Sequence, residues 1–481
     1  MKNSVTDHII CNNNCGTAQT RILFSDKTLL QNWLDIESAL AQSNAELGVI
    51  PKKAASEICA KAQADNLDVS RITSEATTIQ QTLLSTINAL KSICVNDAGQ
   101  YVGIGATVQD IIDTGFMISI KKAFELIKAD IFSAQSELLW LIETYRNTPM
   151  ASGSHERQGV PITFGYKCAG WASELQRDLE RMADCGKRCL VGEMHGAMGT
   201  MTSFGENGME ISDRTIRRLM LDIPDMSWHN SRDRIAEICH CLSITCCTLG
   251  RIGSELSEMQ RNELLEIAAN FGGEEMLPTA IQQRETSAPD NLMELARLVK
   301  NEANAAQESM LCPYEHDEAA WCTEWRTVCD CVINASACAA KAMGMIHDLQ
   351  VFPEMLRENL AFSHELLMSE RITIALGDKI GNQEAHKVVS SIAARTIEEK
   401  ARFRDMLMAN KQITDNLSLQ EIEELLDPDN YISMAGDICD RVLSSIKHSR
   451  RKIFPKKPAT KPWDSADESI KTALFQGWGG L

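Results

Sequence analysis

Apolar residues recur three and four positions apart over 27–47, 109–146, 166–185, 234–260, 291–311, 319–348 and 360–378. That spacing lines one face of an α-helix, and no comparable stretch alternates apolar and polar residues as a half-buried strand would. Runs such as 109–146 and 319–348 exceed about 25 residues without an internal proline, a length found in long bundles and helical arrays. Breaks are predicted near 98–106, 147–161, 195–230, 271–290, 312–318 and 349–353, where Gly, Pro, Ser and Asn interrupt the period. The segment 271–290 joins two helical runs without a period of its own, and connections of that length in a compact protein are usually functional.

The 481 residues exceed what a single hydrophobic core serves, so two or three domains are expected. Hydrophobic residues make up 44% and charged residues 24%, and no stretch approaches the roughly 18 uninterrupted apolar residues of a membrane helix. The first residues, MKNSVTDHIICNNNCG, lack a basic segment followed by an apolar core, so export is not expected and a cytoplasmic location is. A net charge of −18 argues against a general nucleic-acid binder. The basic run RRKIFPKKPATK (450–461) reads as a solvated linker, or as a contact for an acidic partner.

Seventeen cysteines spread along a long chain without an export signal read as reduced, mostly buried thiols. Cys239, Cys241, Cys246 and Cys247 cluster, as do Cys329 and Cys331, but within helical segments where residues two apart point to different faces. No metal and no cofactor are therefore expected.

Two blocks carry a family resemblance. YVGIGATVQDIIDTG (101–115) resembles the first active-site region of the aspartase/fumarase superfamily, close to H-x-G-A-T-S-Q-D-x-x-D-T in its 3-carboxy-cis,cis-muconate cycloisomerase branch. Gly105, Ala106, Thr107, Gln109, Asp110, Asp113 and Thr114 agree with it. GSHERQGVPITFGYKCAGW (153–171) resembles the second region, in its adenylosuccinate-lyase form R-T-H-x-Q-x-A-x-P-x-T, through His155, Pro161 and Thr163. MHGAMGTMTSFGENG (194–208), SWHNSRDRIAE (227–237), EHDEAAWCTEWRTV (315–328) and LLDPDNYISMA (425–435) extend the likeness in order across roughly residues 18–440.

The resemblance implies an all-α fold of three helical domains with a central long-helix bundle that forms the core of a homotetramer. It suggests boundaries at 1–106, 107–356 and 357–447, followed by a basic linker and tail over 448–481. It also implies active sites assembled from several subunits around a small fumarate- or succinate-like carboxylate, with neither nucleic acid nor membrane as partner.

Family chemistry removes a proton beside a carboxylate and expels a group from the next carbon, which calls for carboxylate-holding donors, a base and an acid. Thr107 and Gln109 stand at a predicted helix start as substrate-binding donors, with helix capping as the alternative. Gln81 and Thr82 fall near another polar substrate-contacting position. His155 is the acid or base candidate, because imidazole titrates near neutral pH. Arg232, in W-H-x-x-R-D-R, could hold a carboxylate bidentately, or pair with Asp233 or Glu237. His229 and His316 match further substrate-contact positions.

The superfamily signature, close to G-S-S-x-M-P-x-K-x-N-P, is missing; the equivalent region near 276–289 reads MLPTAIQQRETSAP. Thr279 and Ser287 become the catalytic candidates there, and Glu285 lies near the place of the family lysine. Gly103, Val108, Gly153 and Glu318 replace a histidine, a serine and two arginines. The expected function is a divergent lyase or cycloisomerase with a rebuilt catalytic loop. The alternatives are a catalytically inactive homologue serving as a binding or structural oligomer, and a conventional carboxymuconate cycloisomerase or adenylosuccinate lyase.

Overall fold

A computed structural model describes residues 15–453 apart from Gln80, Glu156, 270–286 and His364. Its main helices begin close to where the apolar period begins. They are α1 (Asp26–Glu46), α2 (Val108–Thr144), α3 (Phe164–Cys189), α4 (Asp233–Met259), α5 (Ser287–Glu308), α6 (Glu318–His347) and α7 (Ala435–Ile453). Side-chain caps mark several starts: Ser25 accepts the Thr28 N–H before α1, Thr163 accepts the Tyr166 N–H before α3, and Asp317 accepts two N–H groups before α6. Each satisfies donors that a helix cannot satisfy itself.

In α2 the inward positions Ile120, Ala123, Ile127, Ile131, Ala134, Leu138 and Ile142 are all buried at helical spacing. They meet the apolar faces of α3 to α6 in one large central core, which also takes in Ile36 and Leu40 of α1. Helices α4 and α5 pack especially closely, since a Cβ built on Gly250 would lie 2.8 Å from the Ala296 Cβ. A second buried cluster holds Leu30, Leu34, Ile58, Ile72 and Leu90, and a third holds Ile372, Leu376, Val388, Phe403, Leu407 and Ile422. Helix α4 is long and apolar enough to cross a membrane, but most of its apolar stretch is buried among its neighbours. The class is all-α, as expected.

Three local expectations need correction. The break at 147–161 contains an antiparallel hairpin, β1 (Pro149–Ser154) with β2 (Arg157–Thr163); β1 is Gly/Ser-rich, and β2 carries only Val160 and Ile162 two apart around a proline, too short an alternation to reveal a strand. A second ribbon pairs β3 (Ile267–Ala269) with β4 (Leu349–Val351). The run over 360–378 is interrupted at Glu365, which adopts φ +70°, a left-handed conformation that stops a right-handed helix; the α-helix is Ser369–Ile380. Finally, the expected linker does not begin at 448, because the last helix runs on to Ile453. Cys439, Leu443 and Ile446 of α7 join the central core, and Arg450 bonds Gln135 Oε1 at 2.7 Å and Ser136 Oγ at 3.1 Å while lying over the Phe132 ring. The basic run thus begins packed on α2, where burial lowers the Arg450 guanidinium to about 10.

Candidate active site

The first turn of α2 gathers four separate segments. Asp110 and Asp113 stand three apart and share one helix face, where the positive end of the helix dipole favours carboxylates. Asp110 is fully buried. Its Oδ2 accepts the N–H of Thr107 and of Gly196, both at 2.9 Å, and its Oδ1 accepts the His195 N–H and His229 Nε2–H, both at 3.0 Å. One carboxylate therefore pins the helix start, the 195–196 turn and the 229 loop together. Gly105 completes the junction at φ +96°, and an added Cβ there would overlap the Phe204 ring.

Asp113 forms the second hub. It accepts from Trp321 Nε1 at 2.8 Å, from Gln109 Nε2 at 3.2 Å and from Arg232 Nη1 at 2.8 Å. On the other side of Arg232, Glu324 accepts from Nε at 3.0 Å and also from Nη2. Arg232 is 3% exposed and stacks over the Trp228 ring. Its fork is thus occupied by two internal carboxylates, at a position expected to contact substrate. Among the described residues neither Asp233 nor Glu237 pairs with it, and Glu237 pairs with Arg188. Burial lowers the Arg232 pKa, but Asp113 and Glu324 outweigh that and raise it above the ordinary arginine value.

Gln109 is likewise buried, and both its amide protons are used, one by Asp113 and one by the His229 carbonyl at 2.9 Å. Its Oε1 meets His316 Nδ1 at 2.6 Å, so Nδ1 must donate. His316 Nε2 lies 3.2 Å from Glu318 Oε2. His316 sits at the exposed edge of the cluster. His229 is buried. Burial lowers its pKa, but the Asp110 hydrogen bond and the charges of Glu193, Asp110 and Asp113 prevail and raise it above the ordinary value.

Sequence reading passed over Glu193 and His195. Glu193 is buried, takes His195 Nδ1 on Oε1 and accepts the Trp228 N–H at 2.5 Å on Oε2. A carboxylate on Nδ1 favours the tautomer with Nε2 unprotonated, and Nε2 has no hydrogen-bond partner among the described residues, the arrangement a general base requires. The only hint was the histidine inside the MHGAMG block.

The remaining candidates lie elsewhere. Gln81 and Thr82 are exposed at the start of helix Thr82–Ile93, and no hydrogen bond among the described residues ties either side chain to the cluster. His155 is exposed at the tip of the β1–β2 hairpin at φ +51°, 2.9 Å from Ser154 Oγ. That hairpin follows the far end of α2, and its Gln158 bonds the Asn359 carbonyl at 2.7 Å. Helix α2 has 37 residues, about 55 Å at 1.5 Å per residue, so Thr107 and His155 stand at opposite ends of the bundle. Thr279 lies outside the described residues. Ser287 opens α5, and its side chain is also outside them.

The chain matches the family described as lyase over residues 14–273, and adenylosuccinate lyase C-terminus over 365–442. It is 34% identical to N-acetyl-S-(2-succino)cysteine lyase of Enterococcus italicus over 92% of this chain and 98% of that one. It is 31% identical to adenylosuccinate lyase of Methanocaldococcus jannaschii, covering 90% and 95%. The solved 3-carboxy-cis,cis-muconate lactonizing enzyme of Pseudomonas putida superposes with a TM-score of 0.87 at 27% identity, covering 93% of this chain and all of that one. The chain belongs to this lyase family, within the aspartase/fumarase superfamily. It is an enzyme of the lyase type.

Proposed function

We propose that this enzyme eliminates a leaving group from a succinyl-bearing substrate to give a fumarate-like acid, in sites built by different copies of the chain. The observation that carries this reading is the separation of the two candidate groups, the Thr107–His195 end and His155, by the length of α2. The α2-start end holds the anion cradle with His195 buried and His316 at its rim, while the exposed imidazole of His155 stands at the other end. An oligomer of antiparallel bundles, a homotetramer in our reading, brings one end beside the other. A cytoplasmic location belongs to the same proposal.

In such a site the start of α2 and the Thr107 hydroxyl hold the substrate carboxylate and stabilise charge as it develops. A base removes the proton on the carbon beside that carboxylate. The electron pair becomes the C=C bond, the bond from the neighbouring carbon to the leaving atom breaks, and an acid protonates the leaving group. His195 Nε2, His316 and His155 are the imidazoles available, with Thr279 and Ser287 as further candidates near the expected catalytic loop. The likeness to a succinocysteine lyase supports an S-succinyl thioether as the first substrate to try, for which the leaving group is a thiol.

The test follows fumarate release from N-acetyl-S-(2-succino)cysteine and from adenylosuccinate, and lactone formation from carboxymuconate, in parallel. Turnover of the thioether supports the proposal. Turnover of adenylosuccinate alone keeps the elimination but makes the enzyme a conventional family member, lactone formation alone overturns the elimination, and no turnover of any favours an inactive homologue.

A further inference from the structure

Away from the cluster at the start of α2, helices α3 and α4 bring three thiols and a carboxylate together. Cys185 and Cys189 stand four apart on α3, and Glu237 and Cys241 stand four apart on α4, so each pair lies on one face turned toward the other helix. The ligand atoms of Cys185, Cys189 and Glu237 all lie within 4.8 Å of one another. Cys189 Sγ is 3.3 Å from Glu237 Oε2, and Cys185 is in hydrogen-bond contact with both Cys189 and Cys241. We propose that Cys185, Cys189, Cys241 and Glu237 form a binding site for a thiophilic divalent cation of the zinc class.

The geometry suits such an ion. Metal–sulfur bonds of about 2.3 Å in a tetrahedron set neighbouring sulfurs roughly 3.8 Å apart, which the close group of Cys185, Cys189 and Glu237 fits, while Cys241, in contact with Cys185, lies outside that group and must turn toward the ion. The three thiols are buried, while Glu237 is partly exposed on the wall of a cavity of about 500 Å³, which gives the ion an entry path. Three thiolates and one carboxylate around a divalent ion leave two negative charges. Arg188, already paired with Glu237 through Oε1, and Arg177 and Arg181 on the same cavity wall offset them. The thiols release their protons to solvent as the ion binds.

The other close group of three such side chains among the described residues, Asp110, Glu193 and His229, is less suited. Backbone N–H groups already occupy both of its carboxylates. The expectation that no metal binds weighed cysteines two apart along one helix. The ligands here are pairs four apart on two helices, a relation invisible until the helices are packed.

The test titrates reduced, metal-free, full-length protein with Co²⁺ and follows thiolate-to-cobalt charge-transfer absorption. The expected result is saturation at one ion per chain, reversal by Zn²⁺, and loss of the band in the Cys185→Ser/Cys189→Ser double variant with helical circular dichroism retained. Glu237→Gln, on the cavity side, should weaken Zn²⁺ binding by about tenfold or more, and it decides the matter if the double variant does not fold. Absence of the band, its persistence in the double variant, or undiminished affinity in Glu237→Gln overturns the site.

Discussion

Replacing Arg232 by alanine separates its two possible roles. In the structure its guanidinium lies between Asp113 and Glu324, nearly excluded from water. Removing one partner of a buried ion pair typically costs about 3–5 kcal/mol, because a charge is left desolvated and uncompensated. Asp113 keeps the Trp321 and Gln109 donors, so the cost falls chiefly on Glu324, which must then take up a proton or draw in water. The expected loss is therefore about 3–5 kcal/mol, read as a lowered urea midpoint at fixed protein concentration, since subunit association makes apparent stability concentration-dependent. Replacing all three charges together, Arg232→Met with Asp113→Asn and Glu324→Gln, should restore most of that loss. A loss below about 1 kcal/mol, the range of exposed pairs, accompanied by a raised KM for a carboxylate substrate, would refute the structural role and reinstate a substrate contact.

Three further outcomes follow from the same geometry. His229 has a folded-state pKa raised above its ordinary value, so its stabilising contribution is full below about pH 6.5 and is lost as pH rises through the folded value. The stability difference between wild type and His229→Gln should accordingly be largest in mild acid, and a difference growing toward alkaline pH contradicts it. Glu37 is buried beside the Gly103 backbone, and burial pushes its carboxyl up to about 7 from 4.5. The folded state then holds a proton the unfolded state has lost, so stability falls between those two values. Glu37→Gln should stabilise the protein above neutral pH by up to about 3 kcal/mol, and a destabilised variant in thermal unfolding refutes this. His155→Ala should lower turnover about 10²–10⁴-fold with an unchanged melting temperature, since the side chain is exposed; near-normal turnover removes it from the chemistry.

Helix positions were legible because apolar spacing is a local signal, and α2 or α6 can be read from it within a few residues. The hairpin carrying His155 was not, since its Gly and Ser residues pair through backbone groups that side-chain patterning does not report. The partners of Arg232 were hidden for a different reason. Asp113 and Glu324 lie 119 and 92 residues away in sequence, and only the packing of α2, α4 and α6 brings them together. Gln109 was correctly placed at a helix start, but its side chain turns inward to Asp113 and His316, which spacing alone could not distinguish from a turn toward substrate. His195 was passed over because its value as a base depends on Glu193, a residue in an irregular segment with no period to mark its direction.

The central claim is that a working site needs both ends of the bundle, supplied by different copies. Mixing two variants with one lesion at each end, His155→Ala and His195→Gln, tests it directly. Each alone should be nearly inactive against the succinyl substrate. Dissociated and reassembled together, they should recover a clear fraction of wild-type fumarate release, because some mixed sites carry neither lesion. If the mixture stays as inactive as its components while each remains folded and assembled, the two ends do not meet across subunits and the account fails.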